Sequence, residues 1–142
     1  MKKFLLLLAC CFSFSTAVLA DDDKPIQFSQ LPEKAQLFIQ NHFSRADVSR
    51  VTADDDSYEV KLKGGVQIEF NRKGKWTEIE SKRKGVPAKI VPERVMRQVA
   101  KRFGNQVKVV EISRDNEEME VKLSNGKELE FNRKNRTVEV DD

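Results

Sequence analysis

The strongest constraint on the fold is an internal repeat. Tyr58–Leu62 reads YEVKL and recurs 61 positions later as MEVKL at Met119–Leu123. At the same spacing, Glu69–Lys73 recurs without change as Glu130–Lys134. Repetition at a constant spacing indicates that one supersecondary unit occurs twice.

The similarity extends beyond these two motifs. Between 58–79 and 119–140, 11 of 22 positions are identical. We therefore predict a tandem duplication with copies at about 26–81 and 86–142. The link Ser81–Pro87 is short, so we expect both copies to form a single domain.

Each copy begins with the pattern of an amphipathic helix. Its apolar residues recur at the spacings that place them on one stripe of an α-helix. Pro32 and Pro92 lie in the first turn, where the missing N–H is not needed, and Gly104 suits the end of the second helix. The stripes are Ala35, Phe38, Ile39 and Phe43 in the first copy and Val95, Met96, Val99, Ala100 and Phe103 in the second.

After each helix the apolar period changes to two. Apolar and polar residues alternate through 58–63 and 66–71, which is typical of strands with one buried face. Gly64-Gly65 between them, and Asn125-Gly126 in the second copy, suit two-residue hairpin turns with positive φ. Shorter strands are predicted at about 48–53, 75–80, 107–113 and 136–141.

These patterns predict an α+β fold. Each copy should be a helix followed by a four-stranded antiparallel meander. A meander this small does not cover its own apolar face, so we expect the helices to pack on one face of the sheet.

The first twenty residues have the layout of a secretory signal peptide. Lys2 and Lys3 precede an apolar run at Phe4–Phe14, and small or aliphatic residues follow at Ala17–Ala20. Three aspartates then end the apolar character, and the run is too short to span a membrane. We expect residues 1–20 to be removed and the mature chain to be periplasmic, with no membrane span.

Both cysteines, Cys10 and Cys11, lie inside this segment. Cleavage would leave a mature chain without disulfides, cysteine metal ligands or a cysteine nucleophile. The alternative is a lipoprotein signal with lipid attachment at Cys10. The short apolar stretch before Cys10 favours the cleaved form.

The side chains available for catalysis are few. His42 is the only histidine, so a site with two histidine ligands is excluded. Its place beside the apolar stripe predicts a histidine packed at the rim of the sheet. Nucleophile-elbow, phosphate-loop and dinucleotide motifs do not occur. The sequence therefore predicts a protein that is not an enzyme, and it indicates no cofactor.

The charge gives little attraction to nucleic acid. Removal of Lys2 and Lys3 with the signal peptide lowers the formal net charge from +3 to +1. Basic runs remain, for example at Arg72–Lys75 and Arg133–Arg136. A meander brings each basic turn beside an acidic loop, so their fields partly cancel. We expect no nucleic-acid partner.

An acidic loop joins the first two strands of each copy. Asp54, Asp55 and Asp56 form it in the first copy, and Asp115–Glu118 is its counterpart. Converging carboxylates are calcium ligands, although the spacing and the glycine of an EF-hand are missing. Solvated hairpin loops are the other interpretation. The three aspartates are the candidate metal ligands of an alternative function.

One tryptophan stands out on the predicted sheet. If alternation continues back from Ile79, Trp76 lies on the polar face among charges, where tryptophan is typical of an interface anchor. The alternative is that Trp76 packs at the sheet edge or against the link and the second copy. The predicted partner-binding residues on this face are Trp76, Glu78, Glu59, Lys61 and Glu69.

The motifs resemble one family of exported proteins. The first copy carries Leu31-Pro32, Ala35-Gln36, Phe38-Ile39, Tyr58-Glu59-Val60, Leu62, Gly65, Ile68-Glu69-Phe70, Gly74 and Trp76. The second carries Ile90-Val91-Pro92, Val121, Leu123, Asn125-Gly126, Glu128-Leu129 and Phe131. With these residues the sequence is similar to the PepSY-like, β-lactamase-inhibitor-like (BLIP-like) exported proteins of Bacteroides-type bacteria. Asn71 and Asn132 stand where that family often has aspartate, which weakens any metal-binding role for those two turns.

The resemblance implies one PepSY-like domain at 21–142, a periplasmic location and a role in binding or restraining other proteins. It supplies no active-site residue. We therefore hypothesise a monomeric, non-catalytic binding module whose exposed sheet face contacts an envelope protein or peptide, which includes restraint of a peptidase. The alternative is an envelope protein that binds a small ligand or calcium through the acidic loops.

Overall fold

The computed structural model describes residues 23–134 and 138–141. The predicted signal peptide, with Cys10 and Cys11, lies outside this part of the chain. The described residues form two α-helices and nine strands, which confirms the α+β class. The elements are β1 (Lys24–Pro25), α1 (Glu33–His42), β2 (Val48–Ala53), β3 (Ser57–Leu62), β4 (Val66–Asn71), β5 (Trp76–Ser81), α2 (Glu93–Phe103), β6 (Val109–Arg114), β7 (Glu118–Leu123), β8 (Glu128–Asn132) and β9 (Val138–Asp141).

All nine strands belong to one antiparallel sheet, and their spatial order is their order in the sequence. The join lies in the middle of the sheet, where β5 pairs with β6 and Ile79 is opposite Ile112. Both isoleucines are fully buried, so the apolar face continues across the join. This pairing makes residues from distant parts of the sequence neighbours on one sheet.

One hydrophobic core lies between the sheet and the helices. Ala35 and Ile39 of α1, and Val95 and Val99 of α2, belong to the same buried cluster as the inward residues of the strands. The ring of Phe38 meets Phe70 edge-on, with centroids 5.9 Å apart. Burial of a side chain of this size stabilises the fold by about 2–3 kcal/mol.

The rim of this core holds the single histidine. The half-buried His42 packs on Phe38, with ring centroids 4.6 Å apart. This is the position that the helical pattern predicts for His42.

The apolar stripe of α2 is narrower than the sequence pattern indicates. Val95 and Val99 are buried, whereas Met96 is 36% exposed and Ala100 is exposed. Successive residues are turned by about 100° around a helix, so only one i, i+4 line faces the sheet squarely. Within residues 23–134 and 138–141, neither helix has the length and apolar character needed to cross a membrane.

The hairpin turns are longer than predicted. Leu62 pairs with Val66, so three residues rather than two connect β3 and β4. Lys63 is still bonded to the chain preceding β2, since its N–H donates to the carbonyl of Asp47 at 2.8 Å. Gly64 has φ 87° and the following glycine φ 82°, which confirms the predicted positive φ.

Candidate functional site

Glutamates from neighbouring strands form a row on the polar face of the sheet, the face opposite the helices. Glu59 pairs with Glu69, and Glu69 pairs with Glu78. Ser113 follows across the central join, and three more glutamates continue the line from β7 to β9. We call this set the glutamate row, and it consists of Glu59, Glu69, Glu78, Glu120, Glu130 and Glu139.

Strand alternation explains why these side chains share a face. Glu69 lies between the buried residues Ile68 and Phe70, and Glu130 lies between Leu129 and Phe131. Because successive side chains in a strand point to opposite faces, burial of the apolar neighbours turns the glutamates outward. The pairing registers then bring them side by side.

Three members of the row lie outside the residues predicted from the sequence. They are Glu120, Glu130 and Glu139, and a signal for them was available. Each stands 61 positions after a predicted residue, namely Glu59, Glu69 and Glu78. Transfer of the predicted site through the repeat spacing would have found all three.

Neighbouring carboxylates in the row disfavour one another's charge. Like charges directly opposite on paired strands are destabilising. Burial is the main cause that raises the pKa of Glu59, against the lowering effect of Lys61. Burial also raises the pKa of Glu69, and the charge of Glu59 adds to that increase.

Two members of the row, Glu78 and Glu120, also lie beside a glutamate outside the row. Burial, followed by the hydrogen bond and charge of Glu111, raises the pKa of Glu78 to about 9. Burial, followed by the charge and hydrogen bond of Glu128, raises the pKa of Glu120 to about 8. Burial and a neighbouring carboxyl group therefore both favour the neutral, protonated forms of Glu78 and Glu120.

Cations lie beside the row and offset part of its charge. Lys61 pairs with Arg50 on β2 and with Gln67 on β4. On the second half of the sheet, Lys122 Nζ lies 3.8 Å from Glu111 Oε1. The structure therefore brings Glu59, Lys61, Glu69 and Glu78 together on one face, as predicted, with glutamates in excess over cations.

Trp76 does not lie on this face. Its side chain is 7% exposed and belongs to the hydrophobic core. Glu69 pairs with Glu78, but Phe70 pairs with Trp76, so Thr77 is an extra residue in β5. This β-bulge turns Trp76 to the side of Phe70. Of the two interpretations of Trp76, exposure on the polar face is wrong, because simple alternation takes no account of a bulge, and the packed alternative fits the structure.

Trp76 instead joins the two halves of the sheet. The guanidinium carbon of Arg114 lies 3.7 Å from the centroid of the indole. Arg114 Nε also donates to the carbonyl oxygen of Trp76 at 2.9 Å. A cation stacked on a tryptophan and partly removed from water is a favourable contact.

The acidic loops are closed by their own aspartates. Asp54 Oδ1 accepts the N–H groups of Asp56 at 2.9 Å and of Ser57 at 3.0 Å. The backbone thus engages one of the three candidate calcium ligands, Asp54, Asp55 and Asp56. In residues 23–134 and 138–141, no three His, Cys, Asp or Glu side chains are placed to hold a metal ion.

The basic turn of the first half lies beside this loop. Arg72 Nη1 donates to the carbonyl oxygen of Asp54 at 3.3 Å. In the second half, the side chain of Arg133 donates to the carbonyl oxygen of Asp115 in the same way. The predicted proximity of acidic loops and basic turns is confirmed.

Comparison with protein families identifies the fold. The model of the family described as "Putative beta-lactamase-inhibitor-like, PepSY-like" matches residues 19–68 and 56–138. The chain belongs to the PepSY-like family. No curated protein matches the sequence of this PepSY-like chain.

Solved structures of Bacteroides proteins have the same fold. A "putative calcium-regulated periplasmic protein" from Bacteroides thetaiotaomicron is 41% identical, with a TM-score of 0.81 over 87% of this chain and 99% of that one. A "putative periplasmic protein from DUF2874 family" from Bacteroides vulgatus is also 41% identical, with a TM-score of 0.80 over 87% and 99% of the two chains.

A second Bacteroides vulgatus protein, described as a "putative periplasmic protein of unknown function", is 32% identical, with a TM-score of 0.77 over 84% of this chain and 99% of that one. All three neighbours are described as periplasmic, which supports the same location for this PepSY-like chain.

Proposed function

We propose that this PepSY-like protein is a non-catalytic periplasmic binding module whose glutamate row holds a basic segment of a protein or peptide partner. The observation that carries the proposal is the pairing of Glu59, Glu69 and Glu78 across three strands, with three further glutamates in line. The row replaces Trp76 as the centre of the candidate interface.

The electrostatic state of the row supports a cationic partner. Burial raises the pKa of Glu59 and of Glu69, so their charged forms are poorly compensated in the free protein. A lysine or arginine placed beside them would favour the charged forms and lower both pKa values. Binding would therefore favour the charged forms of Glu59 and Glu69, and it would weaken as pH falls and these carboxylates become protonated.

Photocrosslinking in the native periplasm tests this face directly. A photoreactive residue replaces Gln67, which lies next to Lys61 on the polar face, or Lys101, which is exposed on α2. We expect a defined crosslinked partner from position 67 and none from position 101. Glu59→Gln combined with Glu69→Gln should remove that crosslink. Equal crosslinking from both positions would contradict the proposal.

Restraint of a peptidase is a narrower form of the same proposal. The family description, which is β-lactamase-inhibitor-like, supports an inhibitory role without naming a peptidase. The mature protein is added to a peptidase identified by crosslinking, and cleavage of a fluorogenic peptide is followed. Slower cleavage by wild type, but not by the Glu59→Gln, Glu69→Gln variant, is the expected result. If the wild-type protein binds the peptidase but the cleavage rate is unchanged, the protein binds the peptidase without restraining it.

Calcium binding is the second candidate, because a neighbour that is 41% identical is described as calcium-regulated. Asp55 and Asp56 in the acidic loop and the glutamate row are its two sources of carboxylate oxygen. Calcium should raise Tm more than magnesium does, and Asp55→Asn with Asp56→Asn should abolish the shift if the loop is the site. Loss of the shift in Glu59→Gln, Glu69→Gln would assign it to the row. No heat of binding and no Tm shift with calcium would exclude this candidate.

We also infer that the domain, 21–142, consists of two copies of one unit, at about 26–81 and 86–142. Equivalent contacts support this reading. The register shift between β2 and β3 at Val48 has a counterpart between β6 and β7 at Val109. The two Arg-to-carbonyl bonds described above are also 61 positions apart.

For the N-terminus, we propose cleavage after Ala20 and a mature chain without a lipid anchor. Intact-mass measurement of the protein from the periplasm should give the mass of a chain that begins at Asp21. A mass that corresponds to a lipidated Cys10 would establish the alternative.

A further inference from the structure

The two edges of the sheet differ in their free backbone groups. At the β1 edge, the N–H of Ile26 donates to the carbonyl of Val51 at 3.0 Å, so Ile26 is bonded toward β2. Because bonded and non-bonded pairs alternate along the ladder, the backbone groups of the preceding residue, Pro25, point away from the sheet. Proline has no N–H, and a proline in this position blocks the addition of another strand.

The hydrogen bonds of β8 define the other edge. Arg133 N–H donates to Glu117 O at 2.7 Å, and Leu123 N–H donates to Lys127 O at 2.9 Å. Lys127 and Arg133 therefore each belong to a hydrogen-bonded pair with a residue at one end of β7. Bonded and non-bonded pairs alternate in an antiparallel ladder, so Glu130 directs its backbone groups toward β9.

It follows which groups of β9 are free. Glu139 is the partner of Glu130 and is bonded to β8, so its neighbours Val138 and Val140 direct their N–H and C=O groups away from the sheet. Among the described residues, β9 has a neighbouring strand on one side only. The β9 edge therefore carries outward donors and acceptors, and it has no proline in Val138–Asp141.

The side chains of β9 define what would fit there. Val140 is paired with the buried Leu129, yet it is 41% exposed, so the apolar face of the sheet is only partly covered at this edge. On the opposite face, Glu139 ends the glutamate row and is exposed. A strand added here would place apolar residues beside Val138 and Val140 and its alternate residues beside Glu139.

We propose that β9 binds, by β-strand addition, an extended segment of another protein in which apolar residues alternate with lysine or arginine. A second copy of this chain fits less well. Pairing Val138 of one β9 with Val140 of the other would place the two Glu139 side chains opposite each other, and like charges in that position are destabilising. The β9 edge binds through its backbone groups and is therefore distinct from the sheet face of the proposed function.

The experiment uses the mature protein and three short synthetic peptides. In the first, valine alternates with lysine; in the second, glutamate replaces lysine; the third is the lysine peptide with alternate amides N-methylated. Affinity is measured by fluorescence anisotropy, and amide hydrogen exchange by NMR. We expect the lysine peptide to bind at least about tenfold more tightly than either of the others. The amides of Val138 and Val140 should exchange more slowly in its presence.

Protein variants separate the edge from the face. Val140→Pro should abolish binding, Glu139→Lys should reverse the preference between the first two peptides, and Pro25→Ala at the opposite edge should change neither. Because the N-methylated peptide tests the same bonds with the wild-type protein, a misfolded Val140→Pro does not affect the conclusion. Equal affinity of the lysine peptide and its N-methylated form would overturn the proposal. Slow exchange caused by dimerisation would assign the edge to a second copy and would also overturn it.

Failure of strand addition at β9 is distinguishable from failure of the proposed function of the sheet face. Glu59→Gln with Glu69→Gln alters the opposite end of the glutamate row and should leave protection of the β9 amides unchanged. Loss of that protection in this double variant would overturn strand addition at β9, since it would place the peptide across the face.

Discussion

Glu78→Gln should stabilise the protein at neutral pH. Burial, together with the hydrogen bond and charge of Glu111, raises the pKa of Glu78 from its ordinary value of 4.5 to about 9. Between these values the folded chain holds a proton that the unfolded chain releases. The stability that depends on this proton is fully present below the lower value, and it is lost as pH rises toward the higher one.

The magnitude follows from proton linkage. One extra proton in the folded state lowers the free energy of unfolding by about 1.4 kcal/mol for each unit of pH increase. Glu120, whose pKa burial raises to about 8, contributes a second slope of the same sign. Glutamine is neutral at every pH and has an amide hydrogen to donate to Glu111, so Glu78→Gln should remove the slope due to Glu78, which is roughly half of what Glu78 and Glu120 contribute together.

Urea unfolding at several pH values from about 5 to about 8 measures this effect. The fluorescence of Trp76, 7% exposed and the only tryptophan, reports the transition. Glu93→Gln is the matched control, because that side chain is 86% exposed on α2 and should keep the wild-type slope. The reasoning is refuted if wild-type stability does not fall as pH rises, or if Glu78→Gln retains the full slope.

Three further predictions concern the fold and use the same urea assay. Gly74→Ala should lower the free energy of unfolding by about 1 kcal/mol or more beyond the effect of Gly126→Ala. Both glycines have φ 90°, but a Cβ at position 74 would lie 3.0 Å from Lys34 Cβ, whereas a Cβ at position 126 would meet nothing within 4 Å. Trp76→Ala removes the fluorophore, so its unfolding is followed by circular dichroism; the variant should lower the free energy of unfolding by about 3–5 kcal/mol, and a smaller loss would show that the burial of Trp76 contributes little. Arg114→Met removes both the stacked cation and the hydrogen bond to the Trp76 carbonyl, so it should lower the free energy of unfolding by at least about 1 kcal/mol, and no change would show that these two contacts contribute little.

Periodicity predicted most of the secondary structure. Alternating residues in the hairpins became β3, β4, β7 and β8, because burial of one face requires that pattern in any strand. The helices also lie where their apolar stripes place them. Met96 and Ala100 differ, since the width of the buried stripe depends on how a helix lies on its sheet, and sequence spacing does not determine that orientation.

Trp76 illustrates where pattern analysis fails. Counting alternation back from Ile79 places the indole on the polar face, but the extra residue Thr77 reverses the phase. A bulge depends on the partner strand, because it is defined by two residues opposite one. The stacking of Arg114, 38 positions later, was equally absent from any local pattern.

The sequence by itself determined the internal repetition of its motifs, the class of fold and the outward direction of Glu59, Glu69 and Glu78, because these depend on local patterns. Only the tertiary structure decided that the glutamates form one row. That required β5 to pair with β6, which makes Glu78 the neighbour of Ser113 and brings Glu111 within hydrogen-bonding reach. The raised pKa values depend on the same pairing, since desolvation and like-charge contacts arise only between strands that have already met.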